Sequence, residues 1–312
     1  MSDGSLWTGP IVDAHQHFWD PITNFHPWLS GEADIEFRYG DYHAIKRRYM
    51  PDDYLRDTTG YKICETVYIE TEWDPSDPIG ETRYATDLSK RYGVPNAIVA
   101  QAWLHRADAA ELLARQATFE LVRSVRHKPG GPARPNEAGR SLMCNEAWRR
   151  GFSLLSHHGL HFDLQVPWWL LDEAFHLARD FPRTTIILNH TGLPSDRSED
   201  GLRAWHAAMS RLANAPNVLV KISGLGQQGV AWSASANRWI ILETIAIFGV
   251  ERCMFASNFP VDSLCASFDT IYSGFNRTVA LLTLSQQERL FCGNARAIYK
   301  TPTTLTAKTS TI

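Results

Sequence analysis

The chain has 312 residues, 44% of them hydrophobic and 21% charged, with 31 basic and 34 acidic side chains and a formal net charge of -3. This apolar content supplies a large core and excludes a disordered or collagen-like chain. The balanced charge, without long runs of one sign, excludes nucleic acid and anionic lipid as partners and leaves a small molecule.

Short runs rich in Val, Ile and Leu mark eight predicted strands, at 11–15, 66–70, 97–102, 121–126, 161–165, 185–189, 218–222 and 253–256. Amphipathic stretches between them predict helices at 80–92, 107–116, 145–158, 169–180, 201–213 and 236–248. Such alternation is the signature of βα units around a parallel sheet, and eight units predict an α/β fold of the (β/α)8 TIM-barrel type in a single domain. An open doubly wound sheet would place a glycine-rich turn after its first strand, where this chain has His15-Gln16-His17, and no GxGxxG or P-loop occurs. Two segments break the alternation, at 20–49 and 127–139, both following strand ends where barrels keep variable active-site loops. The barrel is expected over 1–300, with a polar, Thr-rich, frayed tail at 301–312. No apolar run approaches the ~20 residues needed to cross a bilayer. Five cysteines without CxxC spacing, and no basic and apolar leader, predict reduced thiols and a cytoplasmic protein.

Chemistry concentrates at the strand ends. Val12-Asp13-Ala14-His15-Gln16-His17 ends an apolar strand in two histidines whose side chains share one side, so both can converge on a metal ion or a carbonyl oxygen. Neutral imidazole suits zinc, although a bare HxH equally serves a structural role. Further polar residues end other strands: Arg126 after strand four, Gln165 after strand five, His190 after strand six, and Asn258 and Asp262 after strand eight. Polar groups ending apolar strands cost desolvation unless paired or used. Arg123 could exchange roles with Arg126, Asn258 could bond its own backbone in a turn, and Asp262 divides between a base and a turn residue. Glu70 and Glu72 share a face at the end of strand two; pairing with loop arginines suits Glu72 better than Glu70. Trp73, Trp168 and Trp169 lie near strand ends, as walls for a sugar ring or an unsaturated ring acid, or as packing. No GxSxG elbow is present, and no Cys–His spacing marks a thiol nucleophile.

The ordered set Val-Asp-Ala-His-Gln-His-Phe-Trp, Leu-Asn-His-Thr-Gly and Ser-Asn-Phe-Pro-Val-Asp resembles the amidohydrolase-related family of metal-dependent TIM-barrel hydrolases. It is most similar to the branch containing sugar lactonases, sulfomuconolactonase and pyrone dicarboxylate lactonase. His26-Pro27-Trp28-Leu29 resembles that branch's first-loop segment and places Trp28 in the pocket wall. The resemblance implies His15, His17 and His190 as ligands of one divalent metal, zinc by ligand type. It departs at Asn258, where many relatives carry aspartate, and Asp262 is the nearest replacement as base. A metal-free route is also implied, in which Arg126 and His190 stabilise the oxyanion while His15 and His17 orient the carbonyl or the water. The expected function is hydrolysis of a lactone of a sugar acid or an aromatic-catabolism intermediate. The alternatives are non-oxidative decarboxylation of an aromatic acid, whose enzymes usually begin with Glu-x-His, and a non-catalytic ligand-binding barrel. A homodimer is expected by analogy alone.

Overall fold

The computed structural model describes residues 5–31 and 34–301. One parallel sheet runs in chain order through β1 (Ile11–Gln16), β2 (Ile63–Ile69), β3 (Ala97–Gln101), β4 (Val122–Arg126), β5 (His161–Leu164), β6 (Ile186–Leu188), β7 (Val218–Ile222) and β8 (Cys253–Phe255). Two backbone bonds bring its ends together: Asn258 N–H donates to the His15 carbonyl and His17 N–H to the Phe259 carbonyl, both at 2.8 Å. The architecture is the expected (β/α)8 barrel.

Both faces of the sheet are buried, which is why its strands read as continuous apolar runs. Val12, Ala14, Val67, Ile69, Val99 and Ile187 belong to one buried cluster, whereas Phe18, Tyr68, Ile98, Trp148 and Trp205 belong to a second, larger one. Observed and predicted strands agree closely, and 218–222 is β7 unchanged. β2 instead starts at Ile63, because Glu65 interrupts the apolar pattern while lying buried against Arg296 at 2.9 Å. Helix starts follow capping chemistry: the side chains of Asp77, Ser198, Ser233 and Ser267 accept from the backbone N–H three residues on. The predicted helix at 145–158 divides into Glu146–Ser153 and a 3-10 turn, Leu155–His158. Pro51–Asp57 and, after β8, Phe268–Thr278, Leu284–Glu288 and Asn294–Tyr299 are further helices. The last of these sends the Tyr299 hydroxyl into the barrel, 3.0 Å from Asp163. Thr301, the first residue of the expected tail, is buried and donates to Glu65, and 302–312 lie outside the described residues. Among the described residues, no helix is long and apolar enough to cross a membrane.

Candidate active site

His15 and His17 stand at the end of β1, where the register against β2 shifts between Asp13 and Gln16. The rings lie edge to face with centroids 5.0 Å apart, and the His190 ring is 4.6 Å from that of His15. All three histidines are buried. Burial drives His17 down to about 3, with Arg126 adding to the effect, and holds His15 and His190 well below the ordinary imidazole value, so all three are neutral near pH 7.

Neutrality fixes the His17 tautomer. Its Nδ1 lies 2.8 Å from the Ile69 carbonyl, an acceptor only, so Nδ1 carries the proton and Nε2 keeps a lone pair. That lone pair faces Asn258 Oδ1 at 3.4 Å, because Asn258 Nδ2 is turned to donate to Asp262 Oδ1 at 2.6 Å. Two acceptors face one another there. His15, in addition, has both ring nitrogens buried without a hydrogen-bond partner among the described residues.

His190 sits on a left-handed turn, with φ +56° and the following Thr191 at +51°. The Trp205 indole holds the turn by donating to the Thr191 carbonyl at 2.7 Å, and Ser223 Oγ lies 2.9 Å from His190 Nδ1. Gly224 is required beside it, since a Cβ there would lie 2.7 Å from the His190 ring.

Arg126 ends β4 and is buried. Its Nε donates to Glu70 Oε1, its Nη2 to the Glu70 carbonyl, and its Nη1 to Gln165 Oε1 at 2.9 Å. A guanidinium has five N–H groups, so among the described residues one on each terminal nitrogen has no acceptor. Arg123, three positions earlier, turns away from the site and donates to the Glu120 and Val122 carbonyls. Asp262 is saturated: besides Asn258 it receives Tyr39 OH at 2.9 Å and Gly224 N–H at 3.1 Å, with Arg38 at 3.5 Å. Burial raises its carboxyl above the ordinary range, opposed by Arg38 and these donors.

His17, Arg126, Gln165, His190, Asn258 and Trp28 line one cavity of ≈ 270 Å³, while Asp262 lies behind its wall. Over this arrangement, residues 12–301 match the family model described as amidohydrolase. The chain belongs to the amidohydrolase family. Uncharacterized protein y4mH of Sinorhizobium fredii is 38% identical over 93% of this amidohydrolase and 98% of its own length. An L-fucono-1,5-lactonase of Burkholderia ambifaria is 28% identical over 82% of each chain. Among solved structures, an amidohydrolase from Burkholderia multivorans with bound zinc superposes with a TM-score of 0.79 at 24% identity, covering 94% of this chain and all of the other, a likeness of fold.

In this amidohydrolase the remaining predicted site residues divide. Glu70 and Trp73 line a neighbouring cavity of ≈ 310 Å³ that also meets Arg126. Trp168 lies outside these linings, and its neighbour Trp169 faces a larger cavity. Glu72 pairs with Lys128 at 2.6 Å, a loop lysine in place of the expected arginine. Sequence reasoning missed Arg38 and Lys128, which line the ≈ 270 Å³ cavity from the two variable loops, and Ser223, a polar residue directly after β7 that the strand-end rule would have found.

Divalent cations are usual in the superfamily. Among the described residues, no three His, Cys, Asp or Glu side chains form a metal-binding group. The donors present are imidazoles plus the Asn258 amide oxygen. The orphaned nitrogens of His15 and the facing lone pairs of His17 and Asn258 are contacts that a cation resolves, so this donor set fits one chemically.

Proposed function

We propose that this amidohydrolase opens a cyclic ester by adding water to a lactone carbonyl, releasing the hydroxy acid. The observation that carries the reading is the meeting of Arg126, anchored by Glu70 and Gln165, with neutral imidazoles on one cavity of ring size. The two free N–H groups of Arg126 donate to the carbonyl oxygen as negative charge develops there. A water donating to His190 Nε2 turns a lone pair toward the carbonyl carbon. His190, neutral and fixed by Ser223, takes the proton of that water and returns it to the ring oxygen as the ring C–O bond breaks. Asp262 positions Asn258, keeping its oxygen toward His17.

His15, His17 and the Asn258 oxygen are the groups that would hold a divalent cation, leaving His190 Nε2 free to move the proton, and imidazole donors suit zinc. When bound, the cation supplies Lewis-acid polarisation of the carbonyl. The L-fucono-1,5-lactonase relative and the zinc in the Burkholderia multivorans amidohydrolase support these two parts of the reading.

The test follows acid release with a pH indicator, using purified protein, a panel of sugar lactones, muconolactones and pyrone carboxylates, and parallel samples with chelator. Ring opening that chelator slows and zinc restores is expected. Opening indifferent to chelator removes the cation and keeps the hydrolase. Failure on every lactone overturns the reading, and carbon dioxide release from an aromatic acid would replace it with decarboxylation.

A further inference from the structure

A second cavity, of ≈ 680 Å³, adjoins the reaction cavity and shares Arg38, Lys128, Gln165 and Leu193 with it. Pro167, Trp169, Leu170 and Val230 give it apolar walls. Its charged lining has one sign: Arg38, Lys128 and Arg197 face it, with no Asp or Glu among the described residues.

Lys128 is paired with Glu72, but the two arginines are not satisfied in the same way. Arg197 Nη2 donates to the Leu225 carbonyl at 3.0 Å and to Asn237 Oδ1 at 3.2 Å, while its Nε and Nη1 are buried without a partner among the described residues. No carboxylate among the described residues pairs with it. Burial accordingly lowers its guanidinium to about 10. Among the described residues Arg38 Nη1 is also buried without a partner, and its one carboxylate there, Asp262 at 3.5 Å, already accepts from Asn258, Tyr39 and Gly224. Leaving buried cationic donors unmatched is costly, and a bound anion supplies the missing acceptors. A plain ring lactone lying against Arg126 and His190 is accommodated by the ≈ 270 Å³ cavity and meets neither Trp169 nor Arg197, which line only the larger one.

We propose that the second cavity is a subsite for an anionic arm: the substrate is a lactone whose apolar substituent passes Gln165 and Leu193 and sets a carboxylate on Arg197, with Arg38 between ring and arm. The ring half of this inference rests on the lactonase reading; the anion subsite stands on the lining and the unmatched guanidinium. Selectivity follows, because a carboxylate gives Arg197 two charge-assisted acceptors, whereas a neutral amide offers one uncharged carbonyl oxygen.

The binding test uses 4-phenylbutyrate and its neutral amide, 4-phenylbutyramide, titrated into the full-length protein by calorimetry. The acid is expected to bind roughly tenfold or more tighter than the amide, weakening as salt is raised. Arg197→Gln should erase that difference, and Arg197→Lys should recover part of it. Gln228→Glu, an exposed change that puts a carboxylate on the same lining, should weaken the acid and spare the amide. This second variant decides the matter if Arg197→Gln does not fold. Equal binding of acid and amide, binding of neither, or an acid preference untouched by either variant overturns the subsite.

Turnover separates the two readings. A γ-lactone with a carboxylate-ended arm should show a kcat/KM about tenfold above that of its primary amide. If both open equally, the subsite falls and the lactonase reading stands. If neither opens while 4-phenylbutyrate binds through Arg197, the lactonase reading falls and the subsite stands.

Discussion

Asn258 and His190 both hold left-handed backbone, at φ +57° and +56°. Asparagine tolerates that region better than most residues, so His190→Asn keeps the turn while removing the imidazole. The variant is expected to melt with the parent and to lose about 10²-fold or more in kcat/KM, because His190 is the proposed proton carrier. Wild-type turnover in a folded His190→Asn protein would remove it from the mechanism. Asn258→Asp tests the opposite end of the site. It sets a carboxylate where the amide now lies 2.6 Å from Asp262 Oδ1, in a buried place, and two such charges cannot both persist there unneutralised. In chelator this variant should lose on the order of 2 kcal/mol of stability, and zinc should return it, with a gain in zinc affinity over the parent. Melting curves of both proteins with chelator and with zinc check this; identical responses would take position 258 out of the cation set.

The strands carried the legible part of the site. His15, His17, Arg126 and His190 each end an apolar run, so one rule placed all four at one mouth, and the structure puts them around His15 and the ≈ 270 Å³ cavity. Arg38 and Arg197 escaped because they lie in irregular segments, where neither period nor spacing says which way a side chain turns. Lys221 escaped for a different reason: a single lysine inside the run Val218–Ile222 reads as an interruption of a strand, yet its amine is wholly buried, 2.6 Å from Asp163 Oδ1. That pair ties β7 to β5 inside the barrel, with the Tyr299 hydroxyl at 3.0 Å and Asn189 Nδ2 at 2.9 Å on the same carboxylate. Lys221→Met leaves Asp163 charged with neutral donors only. It should destabilise the protein by about 3–5 kcal/mol, read from urea midpoints, and a second change of Asp163 to Leu should recover part of the loss by removing the stranded charge. A Lys221→Met protein as stable as the parent would mean that the pair adds nothing to folding.

At the scale of the whole molecule, closing the barrel and building the site are one event: the backbone bonds between 15 and 258 and between 17 and 259 join the sheet's ends and set His17 beside Asn258. Folding thereby takes neutral histidines out of water, and their proton affinity becomes part of global stability. His26 and His127, away from the proposed cation donors, show this cleanly, since burial lowers each to about 4. His127 Nδ1 accepts from Leu104 N–H at 3.2 Å and from the Trp148 indole at 2.9 Å, so a proton on that nitrogen would break both bonds. Because each folded pKa lies below the unfolded value of about 6.5, the unfolded chain binds more protons between roughly pH 4 and 6.5. The stability these groups confer is complete above that window and is lost as pH falls through it, by about 1.4 kcal/mol per pH unit for each histidine. The three histidines of the site push in the same direction. Urea midpoints measured from pH 7.5 to 4.5 should therefore fall steeply below 6.5. His127→Gln, whose amide oxygen can accept from the same two donors, should remove about one proton from the slope; an unchanged slope would mean that His127 is already protonated in the folded barrel, in conflict with the two donors aimed at it.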